Sequence, residues 1–340
     1  MPPRVPTFCR HNRFIERCPI CSKALPGNEP PAHPARRAPG GTAGSRPRGA
    51  ERSGRRPRAD ALRVRHEGRA VEDGYASPLV PGLRASADAR RLADEIAFSS
   101  ARLAALAIEA PGAYGLAVDA AAAGDFERAT WVAFLLAYLS PSEDDAPFAG
   151  IEAALAAAPT LDSAGADGLG ELLDGLPVGP RSSHAPGGGA RTLKAYAQWV
   201  ARAGGQEAAF TGDAGWSAER RFARLFERLA LPGLTRAARY ELLVTLGRLG
   251  VYELRADSLH LGTGRVSGED EASLAAKRVF GIGDPLLLDR RAAALAKAAD
   301  VPLEALDLAL FNWAARERAT LGFRPAGEPA AVPALAALGL

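Results

Sequence analysis

The chain has 340 residues, 47% apolar and only 6% aromatic, with Ala and Leu the commonest apolar types. That length supports one large core or two modest ones. Val and Ile are sparse, no run alternates like a half-buried strand, and no apolar segment reaches about 18 residues free of charge or Pro. These features exclude a β-rich fold and argue against a membrane-spanning helix, and the start, MPPRVPTFCRHNRF, lacks the apolar core of a secretory signal. The expected location is cytoplasmic, with no membrane partner. Net charge is +3 but unevenly spread. Residues 1–24 carry +4, residues 25–70 hold 11 Arg against 4 acids, and residues 71–340 sum to −8. Attraction to a polyanion therefore sits at the front of the chain.

Residues 1–24 contain all three cysteines of the protein, in the pattern Cys9-x-His11-x6-Cys18-x2-Cys21. Zinc takes four tetrahedral S or N ligands, and Cys18-Pro-Ile-Cys21 offers two thiolates from one tight knuckle. So short a segment has too little core to fold alone, and a metal would supply its folding energy. No βαβ pattern surrounds the pair, which argues against a redox motif. All four positions are filled, so the expected Zn2+ is structural rather than catalytic.

Residues 25–84 read as a linker. Residues 25–70 are rich in Pro, Gly, Ala and Arg and too poor in large apolar side chains to offset the entropy of ordering. They are either a basic tether to nucleic acid or a plain spacer. Residues 74–82 are an extended lead-in. Ser86 or Asp88 can cap a helix running to Ile108, and Asp125 can cap the next, FERATWVAFLLAYLS. That second helix is apolar nearly all round and should be central. Further helices are expected over 148–158, 192–202, 222–230, 236–249, 271–280, 286–299 and 303–315. Residues 160–190 read as loop, with Arg181 and His184 in a polar Gly-rich stretch that either holds phosphate or is a solvated surface. Residues 85–323 form the helical domain, and 324–340 a loose tail. The fold class is all-α.

The stretch from Leu231 to Asp257 stands out. Pro232 and Gly233 stop one helix, and Arg236 begins another. Leu231-Pro232-Gly233-Leu234-Thr235 is thus a short turn whose backbone N–H groups can grip a phosphate at a helix start. An Asp follows at 257. The alternative is an ordinary helical hairpin with Asp257 on the surface.

Leu231-Pro232-Gly233, with Asp257 lying 24 residues past Gly233, resembles the helix-hairpin-helix DNA glycosylases of the endonuclease III type. The order of elements is similar over roughly residues 88–320, and Phe126 to Pro141 looks like that family's central apolar helix. Trp131 to Pro141, followed by acids and Pro147-Phe148, and Leu308 to Trp313, are similar to the α-glutamyl/putrescinyl thymine pyrophosphorylase-like branch. The resemblance implies DNA as partner, flipping of a damaged or hypermodified base, and Asp257 stabilising positive charge on the sugar. It implies backbone contacts from the turn, from Arg236, Arg239, Arg255 and Arg181, and from His184 and His260. Two departures matter. Thr235 stands where the family has a second glycine, and Ala237 where lyase members have lysine, so water would be the nucleophile of a monofunctional enzyme. The alternative is a non-catalytic nucleic-acid-binding or protein-interaction module, with the zinc knuckle contacting another protein.

The knuckle gives a direct test. Purified protein should contain about one zinc per chain by elemental analysis, and Cys18→Ser should lose it. Metal-free wild type would end the assignment.

Overall fold

The run from Ala129 to Leu139 has no polar face, and the structure buries every residue of it. In the computed structural model, which describes residues 70–163, 165–262 and 270–340, this run forms the axis of a helical fold. Cys9, His11, Cys18 and Cys21, and the linker through residue 69, lie outside the described residues. The helices are α1 (Ser86–Ile108), α2 (Ala113–Ala122), α3 (Phe126–Leu139), α4 (Ala149–Ala157), α5 (Ala166–Leu173), α6 (Gly189–Ala203) and α7 (Gln206–Thr211). They continue with α8 (Ala218–Arg228), α9 (Arg236–Arg248), α10 (Glu271–Phe280), α11 (Pro285–Ala298), α12 (Ala305–Ala314) and α13 (Val332–Leu338). Among the described residues there is no strand.

Helix α3 packs on α2, α4, α7 and α9, while α1 packs on α9, α12 and α13. Helix α9 therefore joins the two halves. The few aromatics concentrate around α3. Trp131, Phe134 and Tyr138 stack along it, and the Phe134 ring lies 4.0 Å from that of Tyr196 on α6. Trp131 donates its indole N–H to the Ala158 carbonyl at 2.8 Å, so this large side chain is buried with its polar atom satisfied.

Capping follows the sequence for α3, where Asp125 accepts from the Arg128 N–H at 3.0 Å. At α1 neither Ser86 nor Asp88 caps. The Asp73 carboxylate, from the lead-in, instead accepts from the Ser86 N–H at 3.1 Å and its hydroxyl at 2.5 Å. The lead-in is thus part of the domain. Val80 and Leu83 are buried, and the Gly82 N–H donates to the Val279 carbonyl at 2.9 Å. A Cβ at Gly82 would lie 1.8 Å from the Arg278 carbonyl oxygen, so only glycine fits there. Residues 73–84 are therefore tied to the domain through Asp73, Val80, Gly82 and Leu83, and are not free linker.

The tail differs in the same way. Helix α13 buries Ala334 and Leu338, and Tyr75 donates its hydroxyl to the Leu338 carbonyl at 2.8 Å. The unexpected helices α2, α5 and α7 have 10, 8 and 6 residues and lie in Ala- and Gly-rich sequence with few large apolar side chains to set a period. A window within Ser86–Ala122 is long and apolar enough to cross a membrane by length and composition alone, although the stretch carries charges and Pro111. In the fold, α1 is a core helix: its Arg102 pairs with Glu241 and its Glu95 with Arg318.

Candidate functional site

The turn between α8 and α9 needs its glycine. Gly233 has φ +77°, and a Cβ there would come 1.9 Å from Thr192 Oγ1. Thr235, by contrast, is extended at φ −66°, ψ 165°, and its Oγ1 accepts from the Ala238 N–H at 3.2 Å. It is the N-cap of α9, a position that favours threonine and does not require glycine. Ser183 stitches the turn. Its hydroxyl donates to the Gly233 carbonyl at 2.7 Å and accepts from the Thr235 N–H at 2.8 Å. The Leu234 N–H donates to Leu231. A phosphate gripped through the Thr235 N–H would have to displace Ser183. Leu234 is buried and Leu231 half-buried, while Pro232 and Gly233 face solvent.

Behind the turn lies a buried ladder of alternating charge. Arg102 Nη2 meets Glu241 Oε1 at 2.5 Å, and Glu241 Oε2 lies 3.8 Å from Arg181 Nη1. Arg181 Nη2 meets Asp307 Oδ2 at 2.5 Å, and Asp307 Oδ1 meets Arg236 Nη2 at 2.5 Å. Arg236 Nε then reaches Asp270 Oδ2 at 2.6 Å. Asp307 is 0% exposed and Arg236 is 2% exposed. Burial disfavours the charge of Arg236, but Asp307 and Asp270 outweigh it and hold the guanidinium above its ordinary value. The Asp270 carboxyl is opposed by burial but lowered overall by Arg236. Arg181 and Arg236, expected as backbone contacts, are therefore internal: their charges are spent on buried acids and point away from solvent.

Arg239 is also buried, at 8% exposure, but differs from both. It donates from Nη1 to the Phe226 carbonyl at 3.0 Å and from Nε to the Thr235 carbonyl at 3.4 Å. Its guanidinium carbon sits 4.4 Å from the Phe226 ring centroid, and the His260 ring stacks on Phe226 at 4.1 Å. Burial and the neighbouring Arg236 push the Arg239 pKa down to about 10. His260, in a left-handed conformation at φ +53°, is pushed down to about 4, chiefly by burial.

Asp257 is exposed in the loop leading to His260 and acts electrostatically on that imidazole. It lines neither the cavity of about 270 Å³ between α1 and the C-terminal segment nor that of about 260 Å³ beside Tyr252. Arg255 is exposed and donates to Glu219 at 2.6 Å. His184 is not a surface contact. Its side chain is 4% exposed, with Nδ1 3.1 Å from the Tyr138 hydroxyl and Nε2 3.1 Å from Asp174 Oδ1, the latter at an angle poor for hydrogen bonding. The structure thus brings the turn, Arg239, His260 and Asp257 into one neighbourhood and withdraws Arg181, Arg236 and His184 from solvent. The sequence reading passed over Ser183, Asp307 and Glu241. The last two had a signal: each is a lone acid in an otherwise apolar stretch of helix.

Two measurements follow. Asp307→Asn leaves two buried guanidiniums short of a carboxylate and should lower unfolding free energy by about 3–5 kcal/mol; a loss below about 1 kcal/mol would mean that the ladder is not a buried charge network. His260 is neutral when folded, whereas its unfolded form takes a proton near pH 6.5. Its contribution is complete above pH 6.5 and is lost as pH falls from there toward 4. Wild type should lose about 2–3 kcal/mol more than His260→Phe across that window, and parallel stability curves would refute it.

A family model described as alpha-glutamyl/putrescinyl thymine pyrophosphorylase clade 3 matches residues 181–324 of the chain. No curated protein and no solved structure matches it. The matched segment runs from Arg181 to Arg324, and so takes in the turn, Asp257 and every member of the charge ladder except Arg102.

Proposed function

We propose that this protein processes a modified thymine in DNA, by chemistry in which pyrophosphate enters or leaves. What supports the reading is that one family match, described as a thymine pyrophosphorylase, covers the turn, the ladder and the Asp257 loop together. An enzyme acting on a base within duplex DNA must draw it from the stack. The exposed Pro232-Gly233 tip would rest against the duplex, with Leu231, Leu234 and Thr235 fixing the turn beneath, and Arg255, held by Glu219 near the start of α8, would be a separate contact. The zinc knuckle and Arg-rich segment ahead of the domain would supply long-range attraction, with Zn2+ held by Cys9, His11, Cys18 and Cys21 in a purely structural role.

A second reading keeps the glycosidic bond as the one broken, with Asp257 steadying the sugar cation and water as nucleophile. The observation favouring it is the turn itself: helix, Leu-Pro-Gly, a capped second helix, then Asp257 on a loop near His260. Asp257 is exposed, and a carboxylate in water stabilises a cation weakly. In this reading the bound DNA must dry the site.

One assay separates the two. Duplexes carrying unmodified, damaged or hypermodified thymine are incubated with the protein, and free base and pyrophosphate turnover are both measured. Pyrophosphate turnover without base release is the expected result. Base release abolished by Asp257→Asn would instead establish the glycosylase reading. DNA binding with neither product would leave a non-catalytic nucleic-acid-binding module. Removing residues 1–70 should weaken DNA binding and flatten its salt dependence, whereas an unchanged slope would make that segment a spacer.

A further inference from the structure

We propose that Arg239 is an anion-binding residue that receives a phosphate-type oxyanion beside the α8–α9 turn. Five arginines are buried among the described residues: Arg102, Arg181, Arg221, Arg236 and Arg239. The first four each have a carboxylate within ion-pair distance: Glu241, Asp307, Glu253 and Asp270, respectively. Arg239 has none among the described residues. A buried charge without a counter-ion is costly unless something completes it. Its two hydrogen bonds run to carbonyls, which carry partial rather than full negative charge. They orient the guanidinium and leave Nη2 without an acceptor among the described residues, although Nη2 is not one of the sealed, unpaired atoms of the interior.

The surroundings suit an incoming anion. The Phe226 ring supports the guanidinium at 4.4 Å, and His260, stacked on the same ring, is uncharged at neutral pH. Asp270 acts on Arg239 only at a distance, its oxygens being bonded to Arg236 and Ser273. Guanidinium forks match phosphate oxygens in geometry and charge. The turn's own Thr235 N–H is taken by Ser183, so the anion is held by a side chain rather than by the backbone. The competing role is structural: Arg239 caps a carbonyl at the C-terminal end of α8.

The identity of the anion rests on the proposed function, being either a pyrophosphate group or a DNA backbone phosphate; the subsite itself does not. Inorganic pyrophosphate and an unmodified duplex are titrated against the full-length wild type, Arg239→Lys and Arg239→Gln by calorimetry. Arg239→Gln should lose at least about tenfold in affinity for one of the probes, with Arg239→Lys between. Loss for pyrophosphate alone marks a pyrophosphate site. Loss for the duplex, with the salt slope reduced by about one, marks a backbone contact. A cap alone would lower the melting temperature of Arg239→Gln without changing either affinity, and that result overturns the proposal. Should Arg239→Gln fail to fold, phenylglyoxal labelling of wild type decides: pyrophosphate or duplex should protect Arg239, and equal labelling with and without them refutes the site. Anion binding through Arg239 without base-processing activity would keep the subsite and remove the proposed function.

Discussion

Asp307 is a carboxylate with no access to solvent, the one charged residue of the helix ALDLALFNWA. A carboxylate buried there without partners would carry a large desolvation cost. Its two oxygens are instead divided between Arg181 and Arg236, each at 2.5 Å. That one group therefore ties α12 to the start of α9 and to the loop between α5 and α6. The loop carries Ser183 two residues after Arg181, and Ser183 closes the turn at Gly233 and Thr235. The shape of the exposed tip thus follows from a charge pairing beneath it. Arg236 Nη1 extends the same control to the loop of Asp257 by donating to the Leu259 carbonyl at 2.9 Å.

The ladder also explains how the charge is distributed. Arg181 and Arg236, which look available in the sequence, are neutralised internally together with Arg102, in a chain of three arginines and three acids. Residues 71–340 carry −8, so the domain's general field does not attract DNA. If the protein binds DNA, long-range attraction would have to come from the Arg-rich residues ahead of the domain. Arg239 stands apart from the ladder because it sits on the α8 side of α9, against Phe226, whereas Arg236 faces α12.

Much of the helical frame was legible. Helix α9 announces itself through apolar spacing, α3 through an apolar run closed by Ser140-Pro141, and Asp125 through its capping position. The short helices α2, α5 and α7 did not, because they lie in Ala- and Gly-rich stretches with few large apolar side chains to set a period. The boundaries of the domain were misplaced because Val80, Leu83 and Leu338 lie in short apolar clusters broken by Pro, Gly and Ala, and only tertiary contact shows that they are buried. At the site, the turn was readable because Pro232 and Gly233 punctuate it. The partners of Arg181, Arg236 and His184 were not, since Asp307, Asp270 and Asp174 lie 126, 34 and 10 residues away in the chain. Thr235 looked like a weak point only because the comparison was with glycine. Its negative φ and its capping bond show a position built for a hydroxyl.

Asp257 joins an exposed carboxylate to a fixed backbone. The Ala256 N–H donates to Glu304, the Leu259 N–H to Asp289 at 3.1 Å, and the His260 N–H to Ser258 at 2.9 Å. His260 adopts a left-handed conformation that a non-glycine residue takes only when its surroundings require it, and its stacking on Phe226 supplies such a requirement. Position is therefore preorganised at Asp257, while a low dielectric is not. An enzyme that stabilised charge with this residue would depend on its substrate to exclude water, so its electrostatic contribution would arise only once DNA covered the loop. A protein that used the loop merely to rest against a duplex would need the position alone. The same geometry serves both, and the difference lies in what covers the carboxylate.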